Sequence, residues 1–383
     1  MELTKEETRR YARHLLLPEI GPEGQLKLKK AKVLVVGAGG LGCPVLIYLS
    51  AAGVGTLGVV DFDKVEYSNL HRQILYSTFD VGKAKVDCAK ESLAQINPEI
   101  KVVPYLTTLK CHNALEIMKD YDLIVDGSDN FPTRYLVNDA CIFLGKPFIY
   151  GGIFRFEGQV SVLGLADGPC YRCFFQQPPP PEEVPSCSEA GVVGVLPGMM
   201  GLLQANEALK LICQIGEVLK GRLLVFDGLA TRFREIHIQK DPRCPICSTH
   251  RTIQELAEYA PICPPSQESS ATAAGEEIPE ITVQELQRIL KDKPQETYLL
   301  DVREPEEWEI AHIPQAVLRP LSTFQENYQD IPKDRPVYVH CKLGGRGLKA
   351  IQFLKTKGYT NCINVQGGID AWAKEIDYEM PRY

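Results

Sequence analysis

Three groups of residues have the types and spacing to do chemistry. Gly37-Ala-Gly-Gly-Leu-Gly42 spaces glycines so that backbone amides and a following helix N-terminus can approach phosphate. Cys341-Lys-Leu-Gly-Gly-Arg346 places one thiol at the start of a small-residue turn and an arginine five residues later. Such a turn can surround a sulfur anion with amides, and the arginine adds a fixed positive charge that favours thiolate and persulfide. Cys170-Tyr-Arg-Cys173 and Cys244-Pro-Ile-Cys247 form two knuckles 70 residues apart. Four thiolates in paired knuckles suit a closed tetrahedral zinc that staples distant segments; a redox pair is the rival reading. A phosphate loop and a sulfur loop on one chain point to nucleotide-driven sulfur transfer.

Residues downstream of the glycine turn sharpen its chemistry. Asp61 ends the next β-branched run, where an acidic residue meets ribose hydroxyls. Taken alone, the turn and Asp61 fit a pyridine-nucleotide dehydrogenase equally well. Asp63, Ser68-Asn69-Leu-His-Arg72-Gln and Gly82-Lys-Ala-Lys85 then supply amide, guanidinium and ammonium groups suited to a triphosphate. Asp129 and Asn130 follow the apolar run Leu123–Val125, where a carboxylate can meet Mg²⁺.

The elements that must position these groups are legible as alternation of strands and helices. Lys32–Val36 leads into the glycine turn, a helix covers about 43–52, and Thr56–Asp61 reads as the next strand. Further strands are expected at 100–104, 122–126, 147–151, 158–164 and 222–226. Thr4 and Glu7 form a capping box before a helix that carries Arg9, Arg10, Arg13 and His14 and stops at Pro18. A proline-rich loop runs from Gln176 to Gly191 and contains Cys187, read with equal weight as a reactive or a bystander thiol. Cysteines 43, 88, 111, 141, 213 and 362 read as packing residues. Residues 263–277 form a linker, whose last fourteen positions would span roughly 20 Å as a random coil. Beyond it, Thr282 and Glu285 cap a helix, Tyr298–Val302 and Val337–His340 are strands, and 347–357 is a helix.

Composition bounds the function. The chain has 383 residues, 44% hydrophobic and 24% charged, with net charge -7 and no basic block. Binding to nucleic acid is therefore not expected. The longest apolar candidate, Val192–Leu203, is too short to span a bilayer, and the first residues lack the pattern of a secretory signal. Thirteen cysteines in such a chain read as reduced thiols, metal ligands and catalysis, so a cytoplasmic location and no membrane partner are expected.

Residues 1–262 resemble the MoeB/ThiF adenylating enzymes, relatives of the ubiquitin-activating enzymes, through Arg13, the glycine turn, the Asp61 strand, Ser68–Gln73, Gly82–Lys85 and Gly127–Asn130. Residues 278–383 resemble a rhodanese domain through Asp301–Trp308, His312–Ala316, Cys341–Arg346 and Val365–Trp372, with Ala311 and Gln315 where glycines are common. The fold class expected is α/β: a Rossmann-like nucleotide-binding domain with structural zinc, linked to a smaller α/β rhodanese domain.

The resemblance implies roles. Gly37, Gly39, Gly40, Gly42, Asp61, Asp63, Ser68, Asn69 and Asn130 would hold ATP. Asn69, Arg72 and Lys85 would hold its phosphates, with Arg13 reaching in from the second subunit of a homodimer, and Asp129 would position magnesium. Cys170, Cys173, Cys244 and Cys247 would hold zinc. The activity implied is adenylation of the C-terminal Gly-Gly carboxylate of a small ubiquitin-like sulfur-carrier protein. A Cys341 persulfide, steadied by Arg346 and loaded from a cysteine desulfurase or thiosulfate, would then deliver sulfur to give a thiocarboxylate, with Cys187 assisting release. The carrier expected first is the small subunit of molybdopterin synthase. Carriers for thiamine, cysteine synthesis or tRNA thiolation would use the same chemistry. An NAD-dependent oxidoreductase lacks a visible hydride-transfer site, and a non-catalytic carrier scaffold would have no use for intact phosphate and sulfur loops.

Overall fold

Strand β1 (Lys32–Val36) is buried from Val33 onward. Val33 and Val35 pack into one core, with Leu57, Val59 and Val125. Leu34 and Val36 pack into another, with Val60 and Ile124. A strand that is apolar on both faces belongs inside a parallel sheet covered on both sides. The computed structural model describes residues 2–177, 191–258 and 278–383 and divides into two compact units, Met1–Ile262 and Cys263–Tyr383. Cys187 with most of the proline-rich loop, and the linker expected at 263–277, lie outside the described residues.

The first unit is built on an eight-stranded sheet in the order β3-β2-β1-β4-β5-β6-β7-β8. Its strands are β1, β2 (Thr56–Val60), β3 (Lys101–Tyr105), β4 (Leu123–Asp126), β5 (Phe148–Phe154), β6 (Glu157–Leu163), β7 (Arg222–Asp227) and β8 (Arg232–His237). The first five are parallel, and β6 to β8 continue as antiparallel neighbours. Strand order reverses between β1 and β4, and the crevice outside their carboxyl ends is where an open α/β sheet takes ligands. The expected strands are all present within a few residues. Strand β8 was not foreseen: each of its residues is exposed, so it shows no inward-facing apolar alternation.

Helices flank the sheet: α3 (Gly21–Lys30), α4 (Gly42–Ala52), α5 (Lys85–Ile96), α6 (Cys111–Met118), α7 (Phe131–Leu144) and α8 (Val195–Cys213). The capping box of Thr4 and Glu7 is formed. The single N-terminal helix expected is two, α1 (Lys5–Arg10) and α2 (Ala12–Leu15). They break at Tyr11, which is buried and accepts a hydrogen bond from Asn97 Nδ2 at 2.8 Å.

The second unit holds a parallel sheet in the order β11-β10-β12-β13-β9. Its elements are β9 (Glu280–Ile281), α9 (Val283–Asp292), β10 (Tyr298–Asp301), α10 (Pro305–Ile310), β11 (Ala316–Leu318), β12 (Val337–His340), α11 (Gly345–Thr356), β13 (Cys362–Val365) and α12 (Gly368–Glu375). Thr282 and Glu285 close the capping box of α9, which buries Val283, Leu286 and Leu290 along one stripe. Among the described residues no helix is long and apolar enough to cross a membrane.

Candidate functional site

In the first unit the β1–α4 turn forms one wall of a cleft of about 210 Å³. Gly37 has a φ of 91°, and a Cβ there would lie 2.8 Å from the Gly127 carbonyl oxygen. A Cβ on Gly42 would come within 1.9 Å of the Gly37 oxygen, so the turn closes only with glycine at both places. Asp61, just after β2, secures the turn from the side. Its Oδ2 accepts from the Ala38 amide at 2.8 Å, and its Oδ1 from the Asp63 amide at 2.8 Å. Burial pushes the Asp61 carboxyl up, with the Lys85 ammonium opposing that rise. Each oxygen keeps a lone pair for a ligand hydroxyl.

Cations ring the cleft. Buried Lys85, at the start of α5, pairs with half-exposed Asp63 (Nζ–Oδ2 3.0 Å). Arg72 donates to the Ser68 carbonyl at 2.9 Å. Arg134, on α7, lies among the rings of Phe131, Tyr150 and Tyr171 at 5.0–5.9 Å, with its Nε 4.0 Å from Asp126 Oδ2. Asp126 accepts from the Ser128 amide and hydroxyl at 3.0 and 2.6 Å, and burial pushes its carboxyl up. Gln204, on α8, donates to the carbonyls of Asp126 and Ile149 at 2.7 and 3.1 Å, holding the ends of β4 and β5 together.

Of the residues expected here, Gly37, Gly39, Gly40, Asp61, Asp63, Arg72, Lys85, Asp129 and Asn130 line the cleft. Gly42 lies beneath the turn. Ser68 and Asn69 do not line the cleft but shape the turn that carries Arg72: Asn69 is buried and its Oδ1 accepts from the Glu66 amide at 3.1 Å. Arg13 is exposed on α2 and is not part of this chain's cleft. Gln73, Thr107, Thr108, Arg134, Val192 and Pro197 are among the other lining residues. Gln73 stood inside a quoted motif without a role. It is buried, lines the cleft, and its Oε1 has no hydrogen-bond partner among the described residues, so it is available to a ligand donor. Arg134 left a fainter signal, the lone Lys or Arg of a helix whose other polar residues are Thr133, Asn138 and Asp139.

The four knuckle cysteines, after β6 and after β8, bring their sulfurs within 4.8 Å of one another. Three of the separations are 3.4, 3.5 and 3.8 Å. A tetrahedron with metal–sulfur bonds of about 2.3 Å has edges of about 3.8 Å, so the cluster is compatible with zinc. Between the first two cysteines, Arg172 makes a buried fork on Asp139 of α7, with both contacts at 2.7 Å. Tyr171 donates its amide to Asn138 Oδ1 at 2.8 Å. The knuckle is thereby pinned to the helix that carries Arg134.

In the second unit Cys341 follows β12 and is buried. Its Sγ accepts from the Gly344 amide at 3.0 Å, and Gly344 has a φ of 104°. The amides of Ile369 and Asp370, opening α12, donate to the carbonyls of Cys341 and Lys342 at 2.9 and 3.1 Å. A Cβ on Gly368 would lie 2.2 Å from the Cys341 oxygen, so the closing segment sits directly on the loop. The Arg346 guanidinium forms a fork on Glu307 of α10 at 2.5 and 2.7 Å. Burial alone would raise the Glu307 carboxyl. The Arg346 fork, the Glu304 amide and the Tyr383 hydroxyl outweigh it and hold the group below its usual range.

Comparisons with known proteins agree with both halves. The ThiF family model matches residues 11–246, and the rhodanese-like domain model matches 282–375. A probable adenylyltransferase/sulfurtransferase MoeZ of Mycobacterium tuberculosis is 46% identical over 100% of this chain and 96% of its own length. A sulfur carrier protein adenylyltransferase of Thermus thermophilus is 55% identical over 69% of this chain and 99% of its own. Among solved structures, Escherichia coli MccB with AMPCPP and MccA superposes with a TM-score of 0.58 at 25% identity, covering 63% of this chain and 75% of that one. The chain thus belongs to the ThiF family and, with its rhodanese-like domain, to the adenylyltransferase/sulfurtransferase enzymes within it.

Proposed function

We propose that the enzyme adenylates the C-terminal Gly-Gly carboxylate of a small ubiquitin-like sulfur-carrier protein and converts it to a thiocarboxylate. The observation that carries this reading is the glycine-walled cleft around which Arg72, Lys85 and Arg134 gather in a chain that also holds Cys341 in an amide-lined loop. ATP is the nucleotide proposed. Three cations suit a triphosphate and the charge that develops on it, which is catalysis by positioning and electrostatics. The carrier carboxylate attacks the α-phosphorus, and pyrophosphate leaves with the electron pair of the broken P–O bond. Arg13 from a second copy of the chain would add a fourth cation, making the enzyme a homodimer. Magnesium, when bound, would neutralise phosphate charge, and Asp129 is the carboxylate proposed to hold it. Zinc, when bound, would staple the segments after β6 and β8 through Cys170, Cys173, Cys244 and Cys247.

In the second half-reaction the terminal sulfur of a Cys341 persulfide attacks the activated carbonyl, and AMP leaves. Carrier and Cys341 are then joined as an acyl disulfide. A thiolate, from Cys187 or an external dithiol, attacks the Cys341 sulfur and releases the thiocarboxylate. The disulfide left behind is reset by that dithiol. A cysteine desulfurase or thiosulfate would reload Cys341, in the cytoplasm. The molybdopterin synthase small subunit is the carrier proposed first, ahead of carriers for thiamine, cysteine synthesis or tRNA thiolation.

ATP–pyrophosphate exchange with each purified Gly-Gly carrier and Mg²⁺ tests the reading. Exchange that depends on one carrier supports acyl-adenylation and names the pathway. Absence of exchange with every carrier overturns it.

A further inference from the structure

We infer that Tyr383 is a positioning residue for sulfur transfer, tying both ends of the Cys341–Arg346 loop to the buried Asp301–Arg303 pair. The inference rests on the assignment of that loop to sulfur transfer. The Tyr383 phenol oxygen accepts from Arg303 Nη1 at 2.6 Å and donates to Glu307 Oε1 at 3.1 Å. Arg303 is a rigid anchor. It is fully buried, makes a fork on Asp301, and donates to the carbonyls of Glu307 and Ala311 at 3.2 and 2.9 Å. Glu307, on the other side of the hydroxyl, takes both Nη atoms of Arg346. The order Asp301, Arg303, Tyr383, Glu307, Arg346 is therefore one chain of charge-assisted hydrogen bonds ending on the loop's cation.

The ring does a second job. Lys342, the residue after Cys341, holds its buried ammonium 4.5 Å from the Tyr383 ring centroid. A cation over an aromatic face is held electrostatically, most strongly when desolvated. One side chain thus grips the loop at its second residue through the ring and at its sixth through Glu307. Burial pushes the phenol above its usual range, which keeps the hydroxyl a donor to Glu307.

The test uses the full chain with thiosulfate and cyanide, following thiocyanate. The Cys341 thiolate attacks the sulfane sulfur, the S–S bond of thiosulfate breaks, and sulfite leaves with the electron pair. Cyanide then takes the outer sulfur of the persulfide and frees the thiolate. Tyr383→Phe keeps the ring and deletes the hydroxyl. It should lower kcat/KM for thiosulfate about tenfold, mostly as a raised KM, because one charge-assisted hydrogen bond is lost from Glu307, the group that holds the loop's arginine. Tyr383→Ala, which also frees Lys342, should lower it further. Carrier-dependent ATP–pyrophosphate exchange should continue at the parent rate in both variants. Parental KM and kcat in Tyr383→Phe would overturn the inference alone, leaving Tyr383 a clasp that affects only the melting temperature. A parent chain that forms no thiocyanate would overturn the sulfur-transfer assignment and this inference with it.

Discussion

The Gly37–Gly42 turn and the Cys341–Arg346 loop begin alike and end differently. Each follows a buried parallel strand and opens a helix. In the first, the turn's inner face is left bare toward a cleft, and its cation, Lys85, is paired with a carboxylate that is 48% exposed. In the second, the space is filled by the protein's own sulfur, and the cation is clamped by a carboxylate that is only 11% exposed. The difference follows from where the reagent comes from. A site that must admit phosphate needs a counter-ion that water already screens in part, so that an incoming phosphate can take its place beside the buried ammonium. A site that carries its reagent covalently needs its cation fixed, and the buried Glu307 fork does that at a cost in desolvation.

The widest separation between the loops should come from removing the reagent on one side and the cation on the other. Cys341→Ala is expected to abolish thiocyanate formation while carrier-dependent pyrophosphate exchange continues. Lys85→Ala is expected to do the reverse, lowering exchange by about 10²–10³, the usual loss when one preorganised group facing developing charge is removed. If either variant lost both activities while remaining folded, the two loops would not be chemically independent. A smaller effect separates space from scaffold within the first loop. A methyl on Gly39 meets nothing nearer than Gln73 Nε2 at 3.8 Å, whereas one on Gly42 collides with backbone. Gly39→Ala should keep stability within about 0.5 kcal/mol and weaken nucleotide binding by filling the cleft, while Gly42→Ala should unfold the unit. Equal melting temperatures for the two variants would contradict that assignment.

What could be read in advance divides along the same line as the loops' chemistry. Strand β1, the glycine turn and the helix after it announce themselves because backbone conformation and burial of Val33–Val36 are local demands on residue type. The clustering of the four cysteines was legible because two paired C-x-x-C knuckles fit few arrangements other than one shared thiolate cluster. Partners distant in sequence were not. Arg346 was expected to steady the Cys341 sulfur, and nothing pointed to Glu307, 39 residues earlier, which holds it. No spacing rule links the two, because α10 and α11 are brought together by the tertiary fold rather than by local sequence. Arg134 was given no role, and it is 8% exposed among aromatic rings, since Tyr171 arrives from the cysteine knuckle. Asn69, whose motif suggested a ligand contact, also uses its Oδ1 to bend the chain that delivers Arg72, a local role that no motif announces.

The smallest expected effect tests the fixed character of the second loop. His340, immediately before Cys341, is fully buried and lies 3.7 Å from Asp301 through its Nε2. Burial pushes its pKa below the usual 6.5; Asp301 pulls it back in part, and Arg303 adds to the lowering. In the unfolded chain the ring regains its ordinary affinity. Below about pH 6.5, then, the unfolded state binds a proton that the folded state refuses. Stability should fall as pH drops from 7 toward 5, by at most about 1.4 kcal/mol per pH unit for one proton. In the second unit, carboxylates held low in the fold, such as Glu307, lose their contribution only nearer and below 4.5, so there this window belongs to histidine. Both tryptophans, Trp308 and Trp372, lie in the second unit, so their fluorescence follows its unfolding within the intact chain. His340→Gln should be less stable at pH 7 yet lose less on acidification, its curve converging on that of the parent. Parallel curves would mean that His340 takes up its proton inside the fold, and that the strand end beside Cys341 is open enough to hydrate it.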